Sequence, residues 1–288
     1  MQDVQYAKNT GQFMFKPGMM VQVQRYVSNH NRRDRVIILL PAIGVAVSKY
    51  SRLVEQLLSQ GFDVVTADYP GCGENRPLVS RSYDYNYADL LQHFIPKLIE
   101  RIPESLSQPP VLLGHSLGGH LASLYASKTG DTGPAGTGHQ VSVIAVASGN
   151  ISHKNWQGRA RFSILSAAVL FRSMVALYGY FPGRKVGFGN REAGGIMRDW
   201  CTTVFTGNYR HIIAGYLPSM QKNLFIHMQG DDWAPLASTR HLAELFVQPQ
   251  LITLDPPADL KGNAHSSWIK QPGFVVDKIV SYLEDGRL

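Results

Sequence analysis

Short apolar runs bounded by turn residues alternate with helix-type patterns along most of this chain. Runs of this kind, rich in branched aliphatic residues, are typical of buried strands. The predicted strands are residues 36–40, 62–67, 111–114, 141–147, 224–228 and 251–254. Strands that alternate with helices indicate a parallel sheet with helices on both faces. The predicted fold class is therefore α/β, with the weakly alternating residues 20–26 as an antiparallel strand at the sheet edge.

Between several of these strands, the apolar residues recur with the period of an α-helix. Residues 53–58 carry one apolar stripe, and residues 90–99 carry a second, which Pro96 is expected to kink. A final helix is predicted over residues 274–283. The stretch 129–139 is rich in glycine and is predicted to be a surface loop.

The strand pattern stops in the middle of the chain, where apolar helical residues replace it. We therefore predict a core interrupted by a helical insertion, which we call the cap. The predicted boundaries are core residues 1–149, cap residues 150–215 and core residues 216–288. The apolar run 162–181 is not expected to span a membrane, because Arg172 lies near its centre.

The cap accounts for the charge asymmetry of the chain. The formal net charge is +7, and the cap holds nine basic residues against two acidic ones, which is the same excess. Two hypotheses stay open: the basic residues attract an anionic acyl substrate, or they form a solvated surface paired with acidic residues of the core. No recognisable nucleic-acid module accompanies them, so nucleic acid is not an expected partner. No His, Cys or carboxylate cluster has metal-ligand spacing, and no cofactor or metal is expected.

Composition predicts a cytoplasmic protein. The first residues contain no basic segment followed by an apolar run, so no export signal is predicted. The two cysteines, Cys72 and Cys201, lie far apart and are expected to be reduced thiols. With 288 residues, 44% of them hydrophobic, the chain can bury one large core.

The most informative local motif is Gly-His-Ser-Leu-Gly at residues 114–118. An apolar strand precedes it and a helix of small and apolar residues follows it, which is the context that a nucleophile elbow requires. A serine on such a tight turn has a strained backbone and an exposed hydroxyl, and the two glycines remove side chains that would collide. The following helix N-terminus also favours negative charge at this position. The motif therefore predicts Ser116 as a nucleophile.

Three segments together resemble the α/β-hydrolase fold. They are the elbow, the segment Leu-Pro-Ala-Ile-Gly at residues 40–44, and the turn Asp-Tyr-Pro-Gly-Cys-Gly at residues 68–73. The chain is similar to bacterial proteins described as predicted α/β-hydrolases and to the serine aminopeptidase and monoacylglycerol lipase-like group, also at Tyr-Phe-Pro-Gly of residues 180–183. This resemblance implies a mostly parallel central sheet and a Ser-His-Asp mechanism, and it leaves the substrate open.

The fold that the chain resembles presents the nucleophile, the acid and the histidine in that order along the sequence. Among ten histidines, His265 lies in a loop after the last predicted strand and before the last predicted helix, so it is the expected general base. The segment 230–235, Gly-Asp-Asp-Trp-Ala-Pro, offers two carboxylates. Position after the strand favours Asp232, whereas the spacing to Pro235 in similar sequences favours Asp231. We predict Asp231 as the acid, with Asp232 as the alternative.

The oxyanion hole consists of backbone amides, so the sequence indicates it only by position. The resemblance places one part at residues 41–45 and the other at the residue after the nucleophile. The expected donors are the amides of Leu117 and Ile43, with Ala42 as the alternative to Ile43. Pro41 and Ala42 stand where the family has a His-Gly pair, which leaves the second donor open.

These residues predict acyl transfer through a covalent intermediate. Ser116 would attack a carbonyl carbon, while His265 takes its proton and delivers it to the leaving group. The predicted activity is that of a serine hydrolase acting on a carboxylic ester or thioester. An acyltransferase would use the same residues, and a non-catalytic binding module of the same fold is the third hypothesis.

Overall fold

A mostly parallel sheet organises the protein, whose computed structural model describes residues 6–29, 32–129 and 140–285. The strands in these ranges are β1 (Tyr6–Lys16), β2 (Met19–Ser28), β3 (Val36–Leu40), β4 (Asp63–Thr66), β5 (Val111–His115), β6 (Ser142–Val146), β7 (Tyr180–Phe181), β8 (Glu192–Ala193), β9 (Asn223–Met228) and β10 (Leu251–Leu254). Eight of them form the central sheet in the order β1-β2-β4-β3-β5-β6-β9-β10. The pairs β1·β2 and β2·β4 are antiparallel, and the remaining pairs are parallel. This arrangement confirms the predicted α/β fold class.

Helices cover both faces of the sheet. They are α1 (Ser51–Ser59), α2 (Tyr87–Asp89), α3 (Ile95–Ile99), α4 (Leu117–Thr129), α5 (Gly158–Tyr178), α6 (Gly194–Thr206), α7 (Leu236–Ala243), α8 (Ala264–Ser267) and α9 (Gly273–Asp285). The apolar stripe of α1 packs with α9 in one buried cluster, and α3 and α4 lie in the cluster on the opposite face. Every residue of β3, β5 and β6 is buried, because a parallel sheet covered on both faces leaves no exposed side.

The sequence pattern located six parallel strands correctly and misplaced the sheet edge. Residues 20–26 belong to β2, which pairs with both β1 and β4 and is therefore not an edge strand. The edge is β1, whose first seven residues are exposed on both sides, so that it lacks the alternating apolar pattern on which strand prediction depends. Most of the predicted loop 129–139 lies outside the described residues.

The helical region around Pro96 contains a π-helical segment, where the sequence predicted only a kink. It begins with α2, passes through a π-helical segment, Leu90–Phe94, and ends in α3, where Pro96 is one of the first two residues. Proline lacks the amide hydrogen that a continuous α-helix uses at that point. A π-helical turn is a known way for a helix to accommodate such a gap in its hydrogen bonding.

Between β6 and β9 lie α5, α6 and the antiparallel pair β7·β8. Helix α5 packs on α6 through an aromatic cluster in which the Phe171 ring lies 4.7 Å from Phe181 and 5.8 Å from Trp200. In the described part of the chain, α5 is the one helix that is long and apolar enough to cross a membrane, judged by length and composition alone. The boundaries of the cap at residues 150 and 215 stay a prediction.

Candidate active site

Ser116 occupies the turn between β5 and α4 and has a φ of +52°. Residues other than glycine rarely adopt this left-handed conformation, so the backbone here is strained. A Cβ on Gly114 would collide with the backbone of Gly118, and a Cβ on Gly118 would collide with the carbonyl of Leu40. The two glycines are thus required for the tight approach of the turn to the sheet, as the elbow interpretation demands.

His265 and Asp231 meet Ser116 beyond the ends of the parallel strands. Ser116 Oγ lies 2.9 Å from His265 Nε2, and His265 Nδ1 lies 2.8 Å from Asp231 Oδ2. The other carboxylate oxygen of Asp231 accepts hydrogen bonds from the amides of Trp233 and Ala234, at 2.8 and 3.0 Å. Three donors therefore hold the buried Asp231 carboxylate in one orientation. In that arrangement Nδ1–H donates to Asp231 and Nε2 is free to accept the serine proton.

The alternative acid does not reach the histidine. Asp232 is exposed, and within the described residues its carboxylate makes no hydrogen bond or ion pair with His265. Its backbone carbonyl instead accepts a hydrogen bond from the Trp156 indole, at 3.0 Å.

The segment around His265, predicted as a loop, is helical in the structure. His265 is the second residue of the short helix α8, and its amide donates to Asn263 Oδ1, at 2.7 Å.

Two backbone amides near Ser116 are free to stabilise negative charge. In the described part of the chain, the amides of Ile43 and Leu117 donate no hydrogen bond, and both residues line the same cavity as Ser116. The amide of Ala42 donates to the Tyr50 hydroxyl, at 2.9 Å, and is already used. Of the two candidates in this loop, only the Ile43 amide is without a described acceptor, which favours Ile43 over Ala42 as the second donor; the assignment of Ile43 and Leu117 stays a prediction.

Buried hydrogen bonds through Tyr50 and His115, which we call the relay, connect the loop 41–45 to His265. The sequence did not predict them. The Tyr50 hydroxyl, which accepts from Ala42, donates to His115 Nδ1, at 2.8 Å, and His115 Nε2–H donates to the carbonyl of His265, at 2.8 Å. Burial lowers the pKa of His115 to about 3, with His265 as a further cause. The neutral ring is the form that both hydrogen bonds require. No motif marks Tyr50, because its partner His115 is distant in sequence.

The cavity at Ser116 is small and lined in part by aromatic rings. Its volume is about 40 Å³. Its apolar lining residues are Ile43, Leu117, Ala147, Ile151, Phe188, Trp200, Trp233 and Ala234. The Phe188 ring stacks on Trp233 at a centroid distance of 5.3 Å, and Trp233 stacks on His265 at 6.1 Å. The flanking Gly187 and Gly189 both have positive φ, so Phe188 is carried on a turn that only glycines form readily.

A larger cavity of about 470 Å³ is lined in part by Ala42, Gly44 and Val45. Its charged lining residues are Asp68, Arg76, Arg184, Lys185, Arg191 and Glu192. In the described ranges none of the four basic side chains pairs with a carboxylate. Two carboxyl groups share the lining, and burial raises the pKa of both. The hypothesis of an anionic substrate stays a prediction.

Buried neutral histidines should make folding sensitive to acid. His120 donates from Nε2 to the carbonyl of Gly149, at 2.7 Å, and burial lowers its pKa to about 4. An unfolded histidine titrates near 6.5, so the unfolded state binds more protons below that pH, and stability falls as the pH drops from about 6.5 towards 4. His120→Gln, which keeps a donor, should remove about 1.4 kcal/mol per pH unit of that slope. Urea unfolding of both proteins between pH 7 and 5 measures the difference, and parallel slopes would contradict it.

Within the described residues, no group of three or more His, Cys, Asp and Glu side chains is arranged to hold a metal ion. Both cysteines are free thiols, and burial raises the pKa of Cys201 to about 12. Burial likewise raises the pKa of Cys72. Neither thiol is activated as a nucleophile in these surroundings.

Comparisons with known proteins agree with this architecture. A model of the alpha/beta hydrolase family matches residues 37–278. Among solved structures, a carboxylesterase of the thaumarchaeon Nitrososphaera gargenis is 15% identical with a TM-score of 0.62, covering 95% of this chain and 98% of that one. A soluble variant of the Saccharomyces cerevisiae monoglyceride lipase is 15% identical with a TM-score of 0.64, covering 96% and 94%. The enol-lactonase of Burkholderia xenovorans is 18% identical with a TM-score of 0.58, covering 97% and 100%. No match is found among the curated proteins.

Proposed function

Since this chain belongs to the alpha/beta hydrolase family, we propose that it is a serine hydrolase that cleaves a carboxylic ester or thioester. The observation that carries the proposal is the continuous hydrogen-bonded series from Ser116 through His265 to Asp231. Structural relatives described as a carboxylesterase, a monoglyceride lipase and an enol-lactonase share the fold and support ester chemistry. Because their sequence identity to this chain is low, the substrate is inferred from the site itself.

The reaction follows from the positions of the donors and acceptors. His265 Nε2 takes the proton of Ser116 Oγ as that oxygen attacks the carbonyl carbon, and Asp231 stabilises the imidazolium that forms. The amides of Ile43 and Leu117 donate to the oxyanion. His265 then gives the proton to the leaving oxygen or sulfur, and water releases the acyl group by the same steps in reverse.

The size of the cavity limits the acyl group. A buried water needs about 10–15 Å³ of such space, so a cavity of about 40 Å³ has room for about three or four non-hydrogen atoms. Phe188, Trp200 and Trp233 form its walls. We therefore propose that the acyl group is short, in the range of acetyl to propionyl, whenever Phe188 is stacked on Trp233.

The p-nitrophenyl esters from acetate to laurate test this proposal. We expect kcat/KM to be highest for acetate or propionate and to fall by about tenfold or more for each methylene that the cavity cannot accept. Phe188→Ala removes a wall of the cavity and should move the optimum to longer chains. An optimum at laurate in the wild type would contradict the proposed short acyl group.

Val186→Ala is the matched control, because Val186 lies in the same turn region and is not part of the cavity wall. This variant should keep the chain-length profile of the wild type. If Val186→Ala and Phe188→Ala shifted the profile equally, a general loosening of the turn would explain the result, and the wall role of Phe188 would be wrong.

A further inference from the structure

One face of helix α5 carries large apolar side chains that the rest of the protein does not cover. The exposed fractions are 70% for Phe162, 57% for Val169, 50% for Leu170 and 72% for Leu177. Spacings of seven, eight and fifteen residues from Phe162 place all four on one side of the helix. Several large exposed apolar side chains on one helix face are typical of a surface that contacts a protein or a membrane. We call these four residues the α5 face.

Unpaired basic residues surround this face. Arg159 and Arg161 lie at the N-terminal end of α5, Arg172 lies on its flank, and Lys185 contacts Tyr178 at its C-terminal end. In the described part of the chain, none of these four side chains forms an ion pair with a carboxylate. Helix α5 itself contains no acidic residue.

The acidic residues of the cap do not offset this charge at the surface. Glu192 is buried, and its carboxyl group accepts from the amide of Asn190, at 2.7 Å. The carboxyl group of Asp199 accepts from the amide of Tyr87, at 3.1 Å, and burial raises its pKa to about 6. The region around α5 thus combines apolar side chains with a cationic border.

The opposite side of α5 is fixed to the protein. Ala168, Phe171 and Val175 are buried, and Phe171 belongs to the aromatic cluster with Phe181 and Trp200. Crossing a membrane would require these contacts to break. A helix that is held on one side and exposes apolar residues with basic neighbours on the other is suited to lie in the interface of a bilayer.

We propose that the α5 face docks the protein on an anionic lipid surface, with Phe162, Val169, Leu170 and Leu177 in the acyl boundary and the arginines against the headgroups. Charge complementarity favours this occupant over a second copy of the chain, because two such faces would bring like charges together. The inference concerns where the protein binds and is independent of the proposed hydrolase activity.

Sedimentation with vesicles tests the docking. We expect the protein to bind mixed phosphatidylglycerol–phosphatidylcholine vesicles, to bind pure phosphatidylcholine vesicles more weakly, and to be released by salt. Leu177→Glu and Phe162→Glu should each lower the partition coefficient about tenfold or more. Leu217→Glu is the matched control, because Leu217 is 74% exposed and lies outside α5, and it should bind like the wild type.

Sedimentation with vesicles also tests the role of the basic residues beside the α5 face. Arg161→Glu should lower the partition coefficient on anionic vesicles by about fivefold or more, whereas Lys222→Glu, at an exposed position outside the cap, should have a small effect. Ser116→Ala should bind vesicles like the wild type, which separates this proposal from the hydrolase activity.

Three results would overturn the proposal. The first is the absence of binding to anionic vesicles, and the second is an equal loss of binding for Leu177→Glu and Leu217→Glu. The third is a wild-type dimer in solution that Leu177→Glu dissociates while vesicles bind neither protein, which would assign the α5 face to a second copy of this chain.

Discussion

Replacing Ser116 with alanine is expected to lower kcat for ester hydrolysis by about 10⁶-fold, which is the cost of removing the nucleophile in a serine hydrolase. The physical reason is that the oxyanion amides and His265 remain, but no group at the elbow can form the acyl-enzyme. The folded structure should be retained, since alanine is smaller than serine and Ser116 Oγ contacts only the histidine among its described hydrogen-bond partners. Initial rates on p-nitrophenyl acetate, together with a thermal melt of each protein, measure both effects.

Ser266→Ala is the matched control for this substitution. Ser266 is exposed and adjacent to His265 in the sequence, yet its side chain makes no described hydrogen bond to the triad. Its activity should stay within a few-fold of the wild type. A Ser116→Ala protein that retained wild-type turnover would show that the hydrolysis takes place elsewhere.

Asp231→Asn is expected to lower kcat by about 10⁴-fold. The amide group can donate to His265 Nδ1, which stabilises the tautomer with its proton on Nε2. That nitrogen faces Ser116 Oγ at 2.9 Å and can no longer accept the serine proton. The loss should therefore be in kcat, with a small change in KM, in steady-state assays of the same ester.

Asp232→Asn provides the control at the neighbouring position. Asp232 is exposed and makes no described contact with His265, so the loss should be at most a few-fold. If Asp232→Asn caused the larger loss, the acid would be Asp232 and the arrangement in the structure would not be the catalytic one.

The contact between Ser116 and His265 could be predicted from the sequence because the signals that mark both residues are local. Ser116 lies in a five-residue motif between a strand and a helix, and His265 lies in the segment after the last parallel strand, where chain order places it. The sequence favoured Asp231 over Asp232 only through the spacing to Pro235, because adjacent residues differ only in the conformation of the turn. The structure separates them through the amides of Trp233 and Ala234, which donate to Asp231.

Contacts between residues far apart in the sequence account for what the pattern missed. Tyr50 bonds His115, which is 65 positions away, and His115 bonds the carbonyl of His265, which is 150 positions away. Phe188 reaches the active site from the cap and stacks on Trp233 of the core. Periodicity and motif spacing describe neighbours along the chain, so none of these contacts has a sequence signature.

The parts of the site that no motif marks shape the cavity and its donors, and under the proposed function they would set which acyl groups it accepts. Phe188 limits the cavity, while the relay through Tyr50 and His115 fixes the amide of Ala42 and so leaves Ile43 as the free donor of its loop. An acyltransferase would share Ser116, His265 and Asp231, and it would differ in the acceptor that enters after acylation. Adding an alcohol to the ester assay and analysing the products separates transfer from hydrolysis.

Reaction with a fluorophosphonate followed by peptide mass spectrometry tests whether Ser116 is an activated nucleophile. We expect a single phosphonate adduct on the peptide that contains Ser116, formed much more slowly in Asp231→Asn than in the wild type or Asp232→Asn. An unmodified Ser116 in the folded wild type would contradict it and would favour a binding module with the fold of a hydrolase.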